Sequence, residues 1–168
     1  MKYPDVVSRS VLITGCSSGI GLAAARHLRD RGWAVIPTAR KPEDIQQLRA
    51  EGFNPVALDV TDSAAIQQAA NDVLRLFGGN LGALVNNAGY GQPGAMEDMT
   101  RDAMREQFEV NVFGLQELTN QLIPAFRRQG YGRIVNVSSV LGRVSLPFMG
   151  VYSASKFAVE AMSDAMRV

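Results

Sequence analysis

The chain has one cysteine, Cys16, and one histidine, His27, among its 168 residues. A single thiol excludes an internal disulfide and suits a reducing compartment, so a cytoplasmic setting is expected. One cysteine and one histidine supply no ligand set for structural zinc, and no metal is expected. Charge of one sign is also missing. Seventeen Lys and Arg stand against 16 Asp and Glu, a net +1 that gives no basic surplus for nucleic acid as the main partner. No apolar run is long enough to span a bilayer, and the opening MKYPDVVSRS lacks the apolar stretch of a secretory leader. With 46% hydrophobic and 20% charged residues the composition excludes disorder and allows one domain with a sizeable core.

What is present is a rhythm. Short β-branched runs (SVLITG, WAVIPTA, PVALDV, GALVNNA, RIVNVSS) alternate with helical stretches beginning near Gly19, Pro42, Asp62 and Thr100, and another after Tyr152. Runs apolar on both faces, alternating with helices, predict a doubly wound α/β domain with a parallel sheet covered on both sides. Lys41-Pro42 opens one helix, Thr61-Asp62-Ser63 offers caps for the next, and Gly78-Gly79-Asn80 closes it. The last helix reads SASKFAVEAMSDAMRV and stops at Val168 without a glycine cap, and five strands would leave an apolar sheet edge. The expectation is a single doubly wound domain over residues 1–168, incomplete at its C-terminus and poorly stable without cover.

Two motifs carry chemistry. The first strand runs into TGCSSGIG, where Gly15, Gly19 and Gly21 allow a tight turn, a close backbone approach to a pyrophosphate, and a helix packed against the sheet. The helix start presents free N–H groups and partial positive charge to phosphates. No Gly-Lys-Ser/Thr follows, so this is not a Walker loop. Near the other end, YSASK sets Tyr152 and Lys156 four apart, one helical turn, where their polar ends can meet.

With these motifs in order, the chain resembles the short-chain dehydrogenase/reductase family, whose glycine motif is TGxxxGxG. The resemblance runs through essentially the whole chain and implies a Rossmann-type fold and a nicotinamide cofactor. It assigns Gly15, Ser17, Ser18, Gly19, Ile20 and Gly21 to the phosphates, and Asp59 with Val60 in LDV to the adenine. Asn87, Ala88 and Gly89 of NNAG close the fourth strand over the adenosine. Asn111 in EVNVFG, Ser139 in VNVSS, Tyr152 and Lys156 form the catalytic tetrad that the resemblance implies. Tyr152 is then the acid/base of carbonyl reduction, Ser139 a donor to the substrate oxygen, and Asn111 part of a water relay behind Lys156. Lys156 also holds the nicotinamide ribose. Moving a phenol from about 10 to about 7 needs roughly 4 kcal/mol, and an ammonium about 4 Å away supplies a Coulomb interaction of that order at intermediate dielectric.

Where an NAD enzyme places an acid after the second strand, this chain has Ala39, then Arg40. A guanidinium suits a 2′-phosphate, so NADP is expected over NAD. Val140, Leu141, Leu146, Phe148 and Met149, between Ser139 and Tyr152, point to an apolar substrate. TGCSSGIG with TARK is similar to the hydroxysteroid and retinol dehydrogenase branch, implying a lipophilic ketone, aldehyde or secondary alcohol. The last helix is apolar over more than one stripe, and family members commonly build a subunit interface there, so a homodimer or homotetramer is expected. His27 reads as solvent-facing, Cys16 as a small turn residue, and Trp33 with Met149, Met162 and Met166 as packing. Two other readings stand beside this one. A sugar-nucleotide epimerase or dehydratase shares Y-x-x-x-K, and a nucleotide-binding regulatory or structural protein would carry these motifs without turnover.

Overall fold

A computed structural model describes residue 5 and residues 7–167. Residues 1–4, 6 and 168 lie outside the described residues, and with them the expected stop of the last helix at Val168.

The run SVLI has no polar alternation because its strand is central. β1 (Ser10–Ile13) is buried along its length, with β2 (Ala34–Ala39) on one side and β4 (Ala83–Asn86) on the other. β3 (Val56–Ala57) and β5 (Arg133–Asn136) are the edges of an all-parallel sheet ordered β3-β2-β1-β4-β5. Successive side chains on a strand point to opposite faces. Val11 and Ile13 therefore join Leu22 and Ala25 of α1 (Gly19–Asp30) with Ile45 and Leu48 of α2 (Pro42–Ala50). Leu12 joins Ile66 and Val73 of α3 (Ser63–Leu76) with Leu118 and Leu122 of α5 (Leu115–Gln129) on the other face. The chain is a doubly wound, Rossmann-type α/β fold, as the rhythm predicts.

Cap chemistry sets the helix starts. Asp62 accepts from Ala64 N–H at 2.9 Å and Ala65 N–H at 3.4 Å, and Thr100 caps α4 (Arg101–Phe108) through Ala103 N–H. β1, β4 and β5 stop short of the runs SVLITG, GALVNNA and RIVNVSS, and three further boundaries differ from expectation. β3 has two residues rather than six, because Pro55 has no N–H to give and Asp59 Oδ1 takes Thr61 N–H at 2.9 Å, turning the chain toward α3. α6 (Gly150–Ala165) starts two residues before Tyr152, not after it, so Tyr152 and Lys156 sit in its first two turns. The helix through Asn111 is broken by a π-helical turn, Glu109–Gly114, between α4 and α5. Such bulges are frequent at functional sites.

Candidate active site

The C-terminal ends of parallel strands open onto a crevice where the strand order reverses, here between β1 and β4. The first wall is the glycine turn. Gly19 has φ 58°, a backbone region that glycine enters at no steric cost, and open space where a side chain would stand. Ser18 precedes α1 without a side-chain cap bond, so the first N–H groups of the helix face the crevice. At Gly21 a Cβ would overlap the carbonyl oxygen of Gly15, so only glycine lets the helix come this close. Cys16 is fully buried, and that burial pushes its thiol up to about 12, although the Thr38 backbone bond acts the other way. It is an inert turn residue, as its sequence context suggests.

The opposite wall is the end of β4, bound to the first by a crossed set of hydrogen bonds. Thr14 Oγ1 accepts from Asn87 N–H and Ala88 N–H, both at 2.9 Å. The Asn87 side-chain amide returns the contact, donating to Thr14 O at 2.9 Å and Gly15 O at 3.0 Å. Asn87 thus holds the glycine turn in place as well as lining the crevice.

Between the walls runs a trough. A part of about 420 Å³ is lined by the glycine turn, Asn87, Gly89, Ser138, Tyr152 and Lys156. A larger part, about 950 Å³, continues past Arg40, Asp59 and Val60 to Tyr90 and Glu106. The two share Gly15, Ser17, Ser18, Ala88, Gly89 and Tyr90, so they form one elongated site. Its length, its helix start free of side-chain caps and its absence of side chains at the glycines fit a dinucleotide.

At the narrower end Lys156 is 6% exposed, with Nζ donating to Val137 O at 2.8 Å and lying 5.8 Å from the centroid of the Tyr152 ring. Burial lowers its pKa from the ordinary lysine value, because the neutral form is cheaper to desolvate. Ser139 Oγ accepts from Leu141 N–H at 3.1 Å, capping a short 3-10 turn, which leaves its own proton to donate elsewhere.

Asn111 is fully buried, but not to satisfy its own helix. Nδ2 donates to Tyr90 O at 2.9 Å and Ser155 Oγ at 3.0 Å, and Oδ1 accepts from Tyr90 N–H at 3.1 Å. Ser155 in turn donates to the Tyr152 carbonyl at 2.7 Å. Both amide hydrogens of Asn111 are committed, and a second lone pair on Oδ1 is what its side chain can still offer. Sequence reasoning missed Tyr90, Gln107 and Ser155. Four-residue spacing between Gln107 and Asn111 was visible, but nothing in the sequence says that their side chains are buried.

At the wider end Arg40 Nη1 lies 3.7 Å from Asp59 Oδ2. Burial works against the Asp59 charge. The Thr61 amide and hydroxyl, with Arg40, outweigh it and hold the carboxyl below its ordinary value. The Arg40 side chain is 65% exposed, so this pair is weak and the guanidinium is available to a ligand. His27 is exposed beside Arg31, and Trp33 packs on the α1–α2 side of the core. Among the described residues no group of three or more His, Cys, Asp or Glu could hold a metal, and no helix is long and apolar enough to cross a membrane.

Comparison with known proteins matches residues 9–168 to a family model described as short chain dehydrogenase. The chain is 44% identical over 163 residues to the uncharacterized oxidoreductase YbbO of Escherichia coli K12, covering 97% of this chain and 61% of that protein. It is 39% identical over 157 residues to a 3-ketodihydrosphingosine reductase of Bacteroides thetaiotaomicron, covering 93% and 56%. A short-chain dehydrogenase from Streptomyces avermitilis superposes with TM-score 0.90 at 40% identity, over 95% of this chain and 60% of that one. A variant actinorhodin polyketide ketoreductase solved with NADPH gives 0.87 at 32%, over 95% and 64%. The chain spans about three fifths of the length of these relatives.

Proposed function

The chain belongs to the short-chain dehydrogenase family, and on that premise we propose that it is the nucleotide-binding and catalytic part of an NADP-linked oxidoreductase. Residues 1–168 act in this reading as one dinucleotide-binding domain. The observation that carries it is the single trough joining the glycine turn to Tyr152 and Lys156. The helix start at Ser18–Gly21 would hold the pyrophosphate, Asp59 and Val60 the adenine, and Arg40 a 2′-phosphate. Asn87, Ala88 and Gly89 would line the adenosine side, and Lys156 the nicotinamide ribose. Bound nicotinamide supplies or takes up the hydride.

The residues of the chain handle the proton. Tyr152 Oη gives a proton to the substrate oxygen as the carbonyl is reduced and takes it back in the reverse direction. The Lys156 ammonium stabilises the phenolate that remains. Ser139 donates its free hydroxyl proton to the substrate oxygen where negative charge gathers. Asn111 serves this site by fixing Tyr90 and Ser155, and through Oδ1 it can also hold a water toward Lys156.

Val140, Leu146 and Phe148 are exposed between Ser139 and Tyr152, while Leu141 and Met149 are partly covered. This apolar rim supports a lipophilic ketone, aldehyde or secondary alcohol as substrate, and one relative is named a 3-ketodihydrosphingosine reductase. Exposed Phe157 and the exposed alanines Ala154 and Ala161 of α6 support a homodimer or homotetramer, and the single cysteine fits the cytoplasm.

NADPH and NADH are titrated at matched salt, and a panel of apolar carbonyl compounds is then reduced with wild type and Tyr152→Phe. A charge-assisted bond from Arg40 favours NADPH by roughly tenfold, the low end of about 1.5–3 kcal/mol, because Arg40 is exposed and shared with Asp59. Tyr152→Phe binds nucleotide normally and loses turnover. Tighter NADH binding overturns the cofactor assignment, and turnover within a fewfold of wild type overturns that of Tyr152.

A further inference from the structure

α4 is a polar helix lying mostly in solvent, yet Gln107 on it is 0% exposed. An amide is buried without penalty only when its oxygen and hydrogens find partners. Gln107 Oε1 accepts from Gln92 N–H at 2.8 Å, and Nε2 donates to the Tyr90 carbonyl at 2.8 Å. One turn later Asn111 holds the same Tyr90 carbonyl and the Tyr90 N–H. Residues 90–92 belong to no strand or helix, and these two side chains supply the bonds a sheet would otherwise give. Gly91, between the anchored residues, packs against the tyrosine of α6. A Cβ on it would stand 3.5 Å from Cδ2 of Tyr152 and from Cε of Met149. Tyr90 and Gln92 line the trough, whereas Gln107 stands behind them.

We propose that Gln107 is a positioning residue: it holds segment 90–92 against the Tyr152 ring and thereby fixes the place of the phenol. Its relevance to catalysis rests on the acid/base reading of Tyr152, but the positioning itself needs no cofactor. The test replaces Gln107 with glutamate, which has nearly the same shape. Protonated, the carboxyl donates to Tyr90 O and accepts from Gln92 N–H, reproducing both bonds. Ionised, it has no hydrogen for Tyr90 O and sets negative charge against that carbonyl. Burial raises the carboxyl pKa, so the variant passes from wild-type-like to disrupted as pH rises. The charged and titratable groups at this corner are Tyr90, Glu106, Glu109, Tyr152 and Lys156, and they are common to every variant.

Two signals are followed by NMR across pH without nucleotide: the 13C resonance of the Tyr90 carbonyl, which reads its hydrogen bond from residue 107, and the ring resonance of 13Cζ-labelled Tyr152. In Gln107→Glu both match wild type on the acid side and depart from it together above the titration, because the carboxylate loses its bond to Tyr90 O while still accepting from Gln92 N–H. In Gln107→Leu both are displaced at every pH. If that variant does not fold, the glutamate variant compared with wild type at each pH decides. An unchanged Tyr90 carbonyl, or a shifted carbonyl with an unmoved Tyr152 resonance, overturns the proposal. Neither signal depends on NADPH, so failure here is separate from failure of the cofactor titration.

Discussion

Replacing Thr14 by valine tests whether the two walls of the trough depend on one hydroxyl. The side chain is 2% exposed, and its Oγ1 accepts two backbone N–H bonds at 2.9 Å, from Asn87 and Ala88. Valine has the same outline and no acceptor. Each donor left unpaired costs about 1–3 kcal/mol, so two cost about 2–6. The added methyl returns about 0.8 kcal/mol of burial, and partial exposure of Asn87 and Ala88 lets water offset some of the loss. The expected net destabilisation is about 3 kcal/mol. Thr14→Ser is the control, since it keeps the acceptor and gives up one methyl, about 0.8 kcal/mol. Equilibrium urea unfolding followed by far-UV circular dichroism reads both, and the midpoint should move at unchanged slope. Valine should cost at least twice what serine costs. A valine variant as stable as the serine variant would refute the reasoning.

Two further outcomes follow from the backbone and the charges. Phe148 has φ 64° and is 65% exposed. A left-handed conformation costs a side-chain-bearing residue about 1–2 kcal/mol, and glycine relieves it at about 0.5–1 of added unfolded-state freedom. Phe148→Gly should therefore be more stable than Phe148→Ala by roughly 0.5–1 kcal/mol in the same urea assay, and equal midpoints would contradict the strain. Asp59 is held below its ordinary value of 3.8 in the folded state, so its stabilisation is present above that pH and lost as pH falls through the folded value. The stability difference between wild type and Asp59→Asn should shrink below that pH, and a difference constant from neutral to strongly acidic pH would contradict the linkage.

Much of the fold was legible because its signals are local. SVLI, ALVN and RIVN announce strands by their own composition, and Asp62 and Thr100 announce helix starts by capping chemistry. The strand ends were less legible. Asn87, Ala88 and Ser139 read as continuations of strands, but they leave the ladder to face the trough or cap a turn, and that depends on partners far along the chain. The glycine turn could be read from its spacing between a strand and a helix, and the Tyr152–Lys156 pair from its place in the order of motifs that the resemblance rests on. The amide pair of Gln107 and Asn111 could not, because polar residues four apart read equally well as a solvated helix face. Only the fold puts segment 90–92 over them. The π-helical turn was invisible for a related reason. EVNVFG has no glycine or proline in the interior of the turn to mark a break.

The crossed bonds between Thr14 and Asn87 have a kinetic meaning. The two residues are 73 positions apart. Closing a long loop costs entropy before its contacts give anything back, and sheets made of distant pairings fold slowly for this reason. β1 meets β2 across a short helical connection, but β4 lies two more helices and an edge strand further along the chain. The nucleotide trough therefore has no partial version. Neither the first half of the chain nor the second contains it, and it comes into being at the step that joins them. Stopped-flow refolding with NADPH present would use its binding as a clock for that final step, running behind the recovery of helix signal rather than alongside it.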